Sequence, residues 1–137
     1  MANKIRLDIV TPDRMVYSED VNMVIARATD GDLGILPGHA PLIAGLEIWP
    51  LRIQTDEGEN LFSVCGGFIE VRPQKITVLA GCAELPEEID IDRAESAKER
   101  AERRLKEAEG ATDIDVRRAE VALKRALVRL RVAEKKS

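Results

Sequence analysis

Aromatic residues are almost absent from this 137-residue chain: Tyr17, Trp49, Phe62 and Phe68 are all it has. Any core must therefore be filled by Val, Ile and Leu. There is one histidine, His39, and it has no Asp, Ser or Cys pattern around it. It reads as a structural hydrogen bond in a loop rather than a catalytic base. The two cysteines, Cys65 and Cys82, form no CxxC and lie in apolar, strand-like surroundings. They read as buried free thiols, not as a disulfide or a metal site. No nucleophile elbow or HExxH is present, so nothing marks a hydrolytic centre. No apolar run approaches the roughly 20 residues that span a bilayer, and no signal-peptide pattern opens the chain. The expected location is cytosolic, or against a membrane through a partner. Positive charge is also short, with 21 Lys and Arg against 25 Asp and Glu. A net charge of −4 argues against nucleic acid as a partner.

What is present divides at Leu85-Pro86-Glu87-Glu88-Ile89-Asp90-Ile91-Asp92-Arg93-Ala94. All six prolines fall in residues 1–86, and Gly110 is the only glycine after them. Ile5, Leu7 and Ile9 alternate with Arg6 and Asp8, which predicts a strand with one buried face. Apolar runs follow at 21–28, 48–54, 61–65, 68–72 and 75–80, with Asp30-Gly31, Asp56-Glu57-Gly58, Gly66-Gly67 and Pro73-Gln74 between them. Pro50 marks its run as an edge strand or a bulge. This spacing predicts an antiparallel β-sandwich or barrel over 1–86. The segment from Gly31 to Leu42 is rich in glycine but has no phosphate-loop lysine and no helix after it. It reads as a chain reversal.

Residues 87–137 predict an antiparallel helical hairpin. Ala94, Ala97, Ala101, Leu105 and Ala108 fall at helical spacing, and Ala119, Ala122, Ala126, Leu130 and Ala133 repeat it. Gly110-Ala111-Thr112 is the expected turn, with Gly110 as C′ and Thr112 or Asp113 as N-cap. An alanine seam buries little area, at about 0.8 kcal/mol per methyl group, so the hairpin should be held loosely. The fold class is thus α+β in two parts.

Most basic residues on these helices have an acid three or four positions away, for example Lys98, Arg103, Arg117 and Lys124. Arg100, Arg125 and Arg129 have none. Arg125 and Arg129 are one turn apart, and an antiparallel partner would bring Arg100 towards them. Three such arginines make either an anion site of forked donors or a basic face for an acidic surface. Asp90 suits the N-cap of the first helix, whose N-terminus favours an anion, and Arg93 lies three residues on.

Together these residues resemble the epsilon-subunit family of bacterial F-type ATP synthases. The resemblance covers the whole chain. It rests on Thr11-Pro12 with Val16-Tyr17, on Gly34-Ile35-Leu36-Pro37-Gly38-His39-Ala40-Pro41-Leu42, on Gly66-Gly67-Phe68 and on the alanine-rich helix pair. It implies a non-catalytic subunit of the rotor stalk at the cytoplasmic face of the cell membrane, peripheral and without direct insertion. The implied partners are the gamma subunit and the c-ring for the sandwich. The alpha–beta hexamer is the partner of an extended, ATPase-inhibiting hairpin. Some members bind ATP on the folded hairpin through Ile-Asp-x-x-Arg-Ala, which stands here as Ile89-Asp90-Ile91-Asp92-Arg93-Ala94. The resemblance then implies Ile89, Asp90 and Ala94 against the adenine and Glu84 as acceptor for base or ribose. Arg93, Arg100, Arg125 and Arg129 bear on the phosphates. ATP is the implied regulatory ligand, and the motif leaves Mg²⁺ open. A stalk subunit that binds no nucleotide and a nucleotide hydrolase are the other readings.

Overall fold

The computed structural model describes residues 4–108 and 113–134. Strands β1 (Ile5–Val10), β2 (Met15–Val21), β3 (Met23–Ala28), β4 (Gly31–Ile35), β5 (Leu42–Thr55), β6 (Gly58–Arg72), β7 (Lys75–Ala80) and β8 (Ala83–Glu84) come first. A single 3-10 turn (Pro86–Glu88) and helices α1 (Ile91–Lys106) and α2 (Asp113–Ala133) follow. The predicted turn Gly110-Ala111-Thr112 lies outside the described residues, and Asp113, the other N-cap candidate, is the first residue of α2.

The strands connect in the order β2-β1-β7-β6-β5-β3-β4, with β8 paired to β6. Neighbours run antiparallel except β1 and β7, which run parallel. The sheet folds back on itself: Tyr17 of β2 meets Phe62 of β6 edge-on at 5.2 Å, although these strands are not neighbours. Inside lie Ile5, Leu7, Ile9, Val24, Ile53 and Val78, aliphatic as the shortage of aromatics requires.

β5 and β6 form one long hairpin through Asp56 and Glu57. Pro50 sits within β5, where the β3 ladder shifts register between Ile25 and Ala28. A missing N–H there removes no bond to β3, which is the bulge its position suggested. Gly66-Gly67, by contrast, does not break the chain into two strands. β6 runs through it, with Gly66 at φ 83° and Gly67 at φ 133°. On one side of this point β6 pairs with β7, and on the other with β8.

The two cysteines correct the expectation of separate thiols. Cys65 and Cys82 are joined as a disulfide, with Cα atoms 5.2 Å apart. The β6–β7 hairpin folds back so that the Cys65 N–H donates to the Cys82 carbonyl at 3.1 Å, placing the side chains together. His39 behaves as expected: its Nδ1 donates to the Ala40 carbonyl at 2.7 Å. The segment around it holds edge strand β4 followed by a loop.

α2 packs on β5 and β6, and α1 packs on α2. Ala94 and Ala101 of α1 and Ala119, Ala126 and Ala133 of α2 are buried, as an alanine seam requires. Val128 and Val132 are buried as well. Among the described residues no helix is long and apolar enough to cross a membrane.

Candidate functional site

The joint between sheet and hairpin is shaped by local hydrogen bonds. Pro86 opens the 3-10 turn, and the Glu88 Oε1 atom accepts from the Leu85 N–H at 3.0 Å. Glu88 Oε2 meets Arg14 at 2.6 Å, tying the turn to the β1–β2 connection. Asp90 then caps α1: its Oδ1 accepts from the Arg93 N–H at 3.1 Å. That bond satisfies one of the unpaired donors at the helix start.

These contacts line a cleft of about 480 Å³ between the joint, α1 and α2. Glu84, Glu88, Asp90, Arg93, Ala94, Ala97, Arg100 and Arg129 form its walls. The size suits a small-molecule ligand, for which pockets run from about 300 to 1,000 Å³. Six of the eight residues singled out from the sequence are therefore together here.

Two are not. Ile89 is only 2% exposed and packs with Val132, Ala133 and Leu61 beneath the joint. Arg125 is exposed and faces a separate depression with Arg117, Arg118 and Val121. The sequence pattern also treated Arg129 as lacking an acid. Its acid comes from the sheet: Arg129 Nε donates to Glu84 Oε1 at 2.6 Å, both side chains about seven-tenths buried. The same guanidinium lies 3.6 Å from Cys82 Sγ. Glu88 and Ala97 were missed. Ala97 follows Ala94 at helical spacing and could have been found on that ground. Glu88 belonged to the acidic run at the joint, where nothing distinguished it from its neighbours.

The cleft holds three acids and three arginines, but the acids are occupied. Glu84 is held by Arg129, Glu88 by Arg14, and Asp90 by the helix cap. Arg93 and Arg100 have no carboxylate partner among the described residues. Their forked donors, with the N-terminus of α1, make the cleft a place for a polyanion. No group of His, Cys, Asp or Glu among the described residues is placed to hold a metal ion.

Family models place the chain. Residues 4–86 match the ATP synthase delta/epsilon chain β-sandwich domain, and residues 87–134 match the long α-helix domain of the same chain. The chain belongs to the ATP synthase delta/epsilon family. Curated members similar to it are epsilon chains. That of Alkalihalophilus pseudofirmus is 54% identical over 101 residues, 74% of this chain and 76% of the relative. That of Pelotomaculum thermopropionicum is 57% identical over 100 residues, 73% and 75% of the two chains. Among solved structures, a chain of the Euglena gracilis mitochondrial ATP synthase (OSCP/F1/c-ring) superposes with a TM-score of 0.79. The match covers 96% of this chain and 81% of that one at 23% identity, which supports the fold alone. In delta/epsilon terms, the cleft lies where the sandwich domain hands over to the helix domain.

Proposed function

We propose that this chain is a non-catalytic epsilon subunit in the central stalk of an F-type ATP synthase. In this reading ATP bound in the cleft holds its helical hairpin folded. The observation that carries the reading is the cleft itself. It gathers Glu84, Asp90, Arg93, Ala94, Arg100 and Arg129 from a strand, a joint and two helices. The residues suit a nucleotide. Arg93 and Arg100 offer unpaired donors to phosphate oxygens, and Ala94 leaves room for a flat base against α1. Arg129 and Glu84 neutralise one another when no ligand competes. A triphosphate draws Arg129 away, and Glu84 is then free to accept from the base amine or the ribose. Arg125 joins the phosphates by a change of rotamer, since it is exposed one turn from Arg129. Ile89 supports the site from below.

Binding to the folded hairpin alone stabilises it by RT ln(1 + [L]/Kd), about 2.7 kcal/mol at a hundredfold excess. The hairpin rests on an alanine seam and on one helix packed against the sheet, so a term of that size decides its pose. With ATP scarce, the helices leave the sheet and reach into the alpha–beta hexamer, where they oppose ATP hydrolysis. The sandwich stays on the rotor, against the gamma subunit and the c-ring. Phe68, Ile43 and Leu79 are 61%, 70% and 53% exposed. Phe68 pairs with Leu79, and Ile43 is two residues from its other partner, Gly45. This apolar stripe on the outer face is the docking surface. The subunit is then peripheral, on the cytoplasmic side of the membrane.

Calorimetric titration of the isolated chain with ATP and ADP tests the reading. One saturable ATP site that is weakened at least tenfold by Arg100→Ala supports it. Absence of binding at millimolar ATP leaves a purely structural stalk subunit.

A further inference from the structure

Trp49, the only tryptophan, sits at the seam between the sheet and α2. Two guanidinium groups share its ring. Arg27 Cζ of β3 lies 3.7 Å from the ring centroid, and Arg131 Cζ of α2 lies 4.7 Å from it. The two cations are therefore no farther apart than the sum of these distances, 8.4 Å. Arg27 is met by Asp32 at 2.9 Å. Arg131 and Lys124, about two turns apart on the same helix face, have no carboxylate partner among the described residues.

These three cations border a cavity of about 610 Å³, whose apolar walls include Trp49, Leu127 and Val128. It is separate from the cleft at the joint and shares no lining residue with it. Like charges held this close repel, and an anion between them relieves the repulsion. One acid, Glu47, also lines the cavity and opposes an anion. With Arg27 already met by Asp32, Lys124 and Arg131 still outnumber it. The indole and Leu127, which is 45% exposed, offer contact to hydrocarbon or a ring.

We propose that this seam binds an organic anion with an apolar body, a carboxylate or sulfonate carried on a ring or a hydrocarbon chain. The anionic head lies among Arg27, Lys124 and Arg131, and the body lies along Trp49 and Leu127. One wall belongs to the sheet and the other to α2, so only the docked hairpin offers the site. Such a ligand is a second effector that holds the hairpin down from a place separate from the cleft at the joint.

Anilinonaphthalene sulfonate is a suitable probe, because it accepts energy from tryptophan and Trp49 is the sole donor. Titration of the full chain should give saturable quenching of Trp49 and added amide protection in α2. Replacing both Lys124→Gln and Arg131→Gln should weaken binding about tenfold or more, since two charge-assisted contacts are lost. Glu47→Gln should tighten it a few-fold with near-ultraviolet circular dichroism unchanged, which separates the gain from dye taken up by loosened packing. Phe68→Ser, on the exposed outer face, should leave it unchanged, and so should Arg100→Ala in the nucleotide cleft. Affinity unchanged in the double variant, unchanged or weaker in Glu47→Gln, or lost in Phe68→Ser would overturn the proposal.

Discussion

Arg129 of α2 donates to Glu84 of β8 at 2.6 Å, and the two are 45 residues apart in the chain. This one bond joins the helical hairpin to the sheet at the wall of the cleft. Both groups are mostly shielded from water, so removing either leaves the other partly stranded. Glu84→Gln and Arg129→Ala should each destabilise docking of α2 by about 1 kcal/mol, discounted for remaining exposure. A double-mutant cycle read by hydrogen exchange in α2 should show coupling between them. Additive effects would mean that the bond contributes nothing to docking.

The alanine seam gives a second expectation. Ala126 is 1% exposed and Ala101 is 2% exposed, so neither has room for a larger side chain. Ala126→Leu should cost about 1–3 kcal/mol of hairpin packing, as overpacking generally does. The unfolding midpoint of the sandwich should move less, because among the described residues its core cluster draws on no residue of α1 or α2. Circular dichroism loses helix first in such a variant.

Gly67 is the third. A Cβ there would overlap the Leu79 carbonyl oxygen, and the residue's φ of 133° is unfavourable for any side chain. Gly38 also has positive φ, at 82°, but has open space around its Cβ position. Gly38→Ala should cost about 1 kcal/mol. Gly67→Ala should cost at least twice that, because the β6–β7 ladder must also shift. Chemical unfolding of the two variants compares them directly.

Asp8 supplies a pH dependence. It is 8% exposed on the outer face, takes a hydrogen bond from Ser18 at 2.6 Å and meets Lys75 at 3.0 Å. The Ser18 hydroxyl first, and then Lys75, hold its carboxyl below the ordinary range. A lowered folded-state value means stability that is fully present above the unfolded value of about 3.9. It is lost as pH falls through that value towards the folded one. Asp8→Asn should therefore cost about 1 kcal/mol at neutral pH. Wild type and variant should draw together as pH falls from about 4 towards the lower folded-state value. A difference that persists in acid would assign the effect to shape instead of charge.

The two halves of the fold, the buried strands and both helices could be read from sequence because burial and helical period leave strong patterns. The edge strands could not. β2 and β4 each have one sheet neighbour, so Met15–Val21 and Gly31–Ile35 carry few apolar residues and look like loop. Gly66-Gly67 looked like a turn because glycine marks both turns and bends within strands. The cysteine pair and the Arg129 partner share one cause. Spacing along a helix or strand reports local neighbours, whereas Cys82 and Glu84 reach theirs through the return of β7 and β8. Arg93, Arg100 and Arg129 nonetheless came together, because helix spacing and one short connection already restrict where they can point. Arg125 shows the limit of that reasoning: a shared face does not decide which rotamer a long side chain takes.

If ATP binds the folded hairpin and holds it to the sheet, hydrogen exchange of the full chain should change when ATP is added to saturation. Amides in α1 and α2 should gain protection, those in β1 and β7 should not change, and Arg100→Ala should abolish the effect. Equal exchange of both helices with and without millimolar ATP would contradict it.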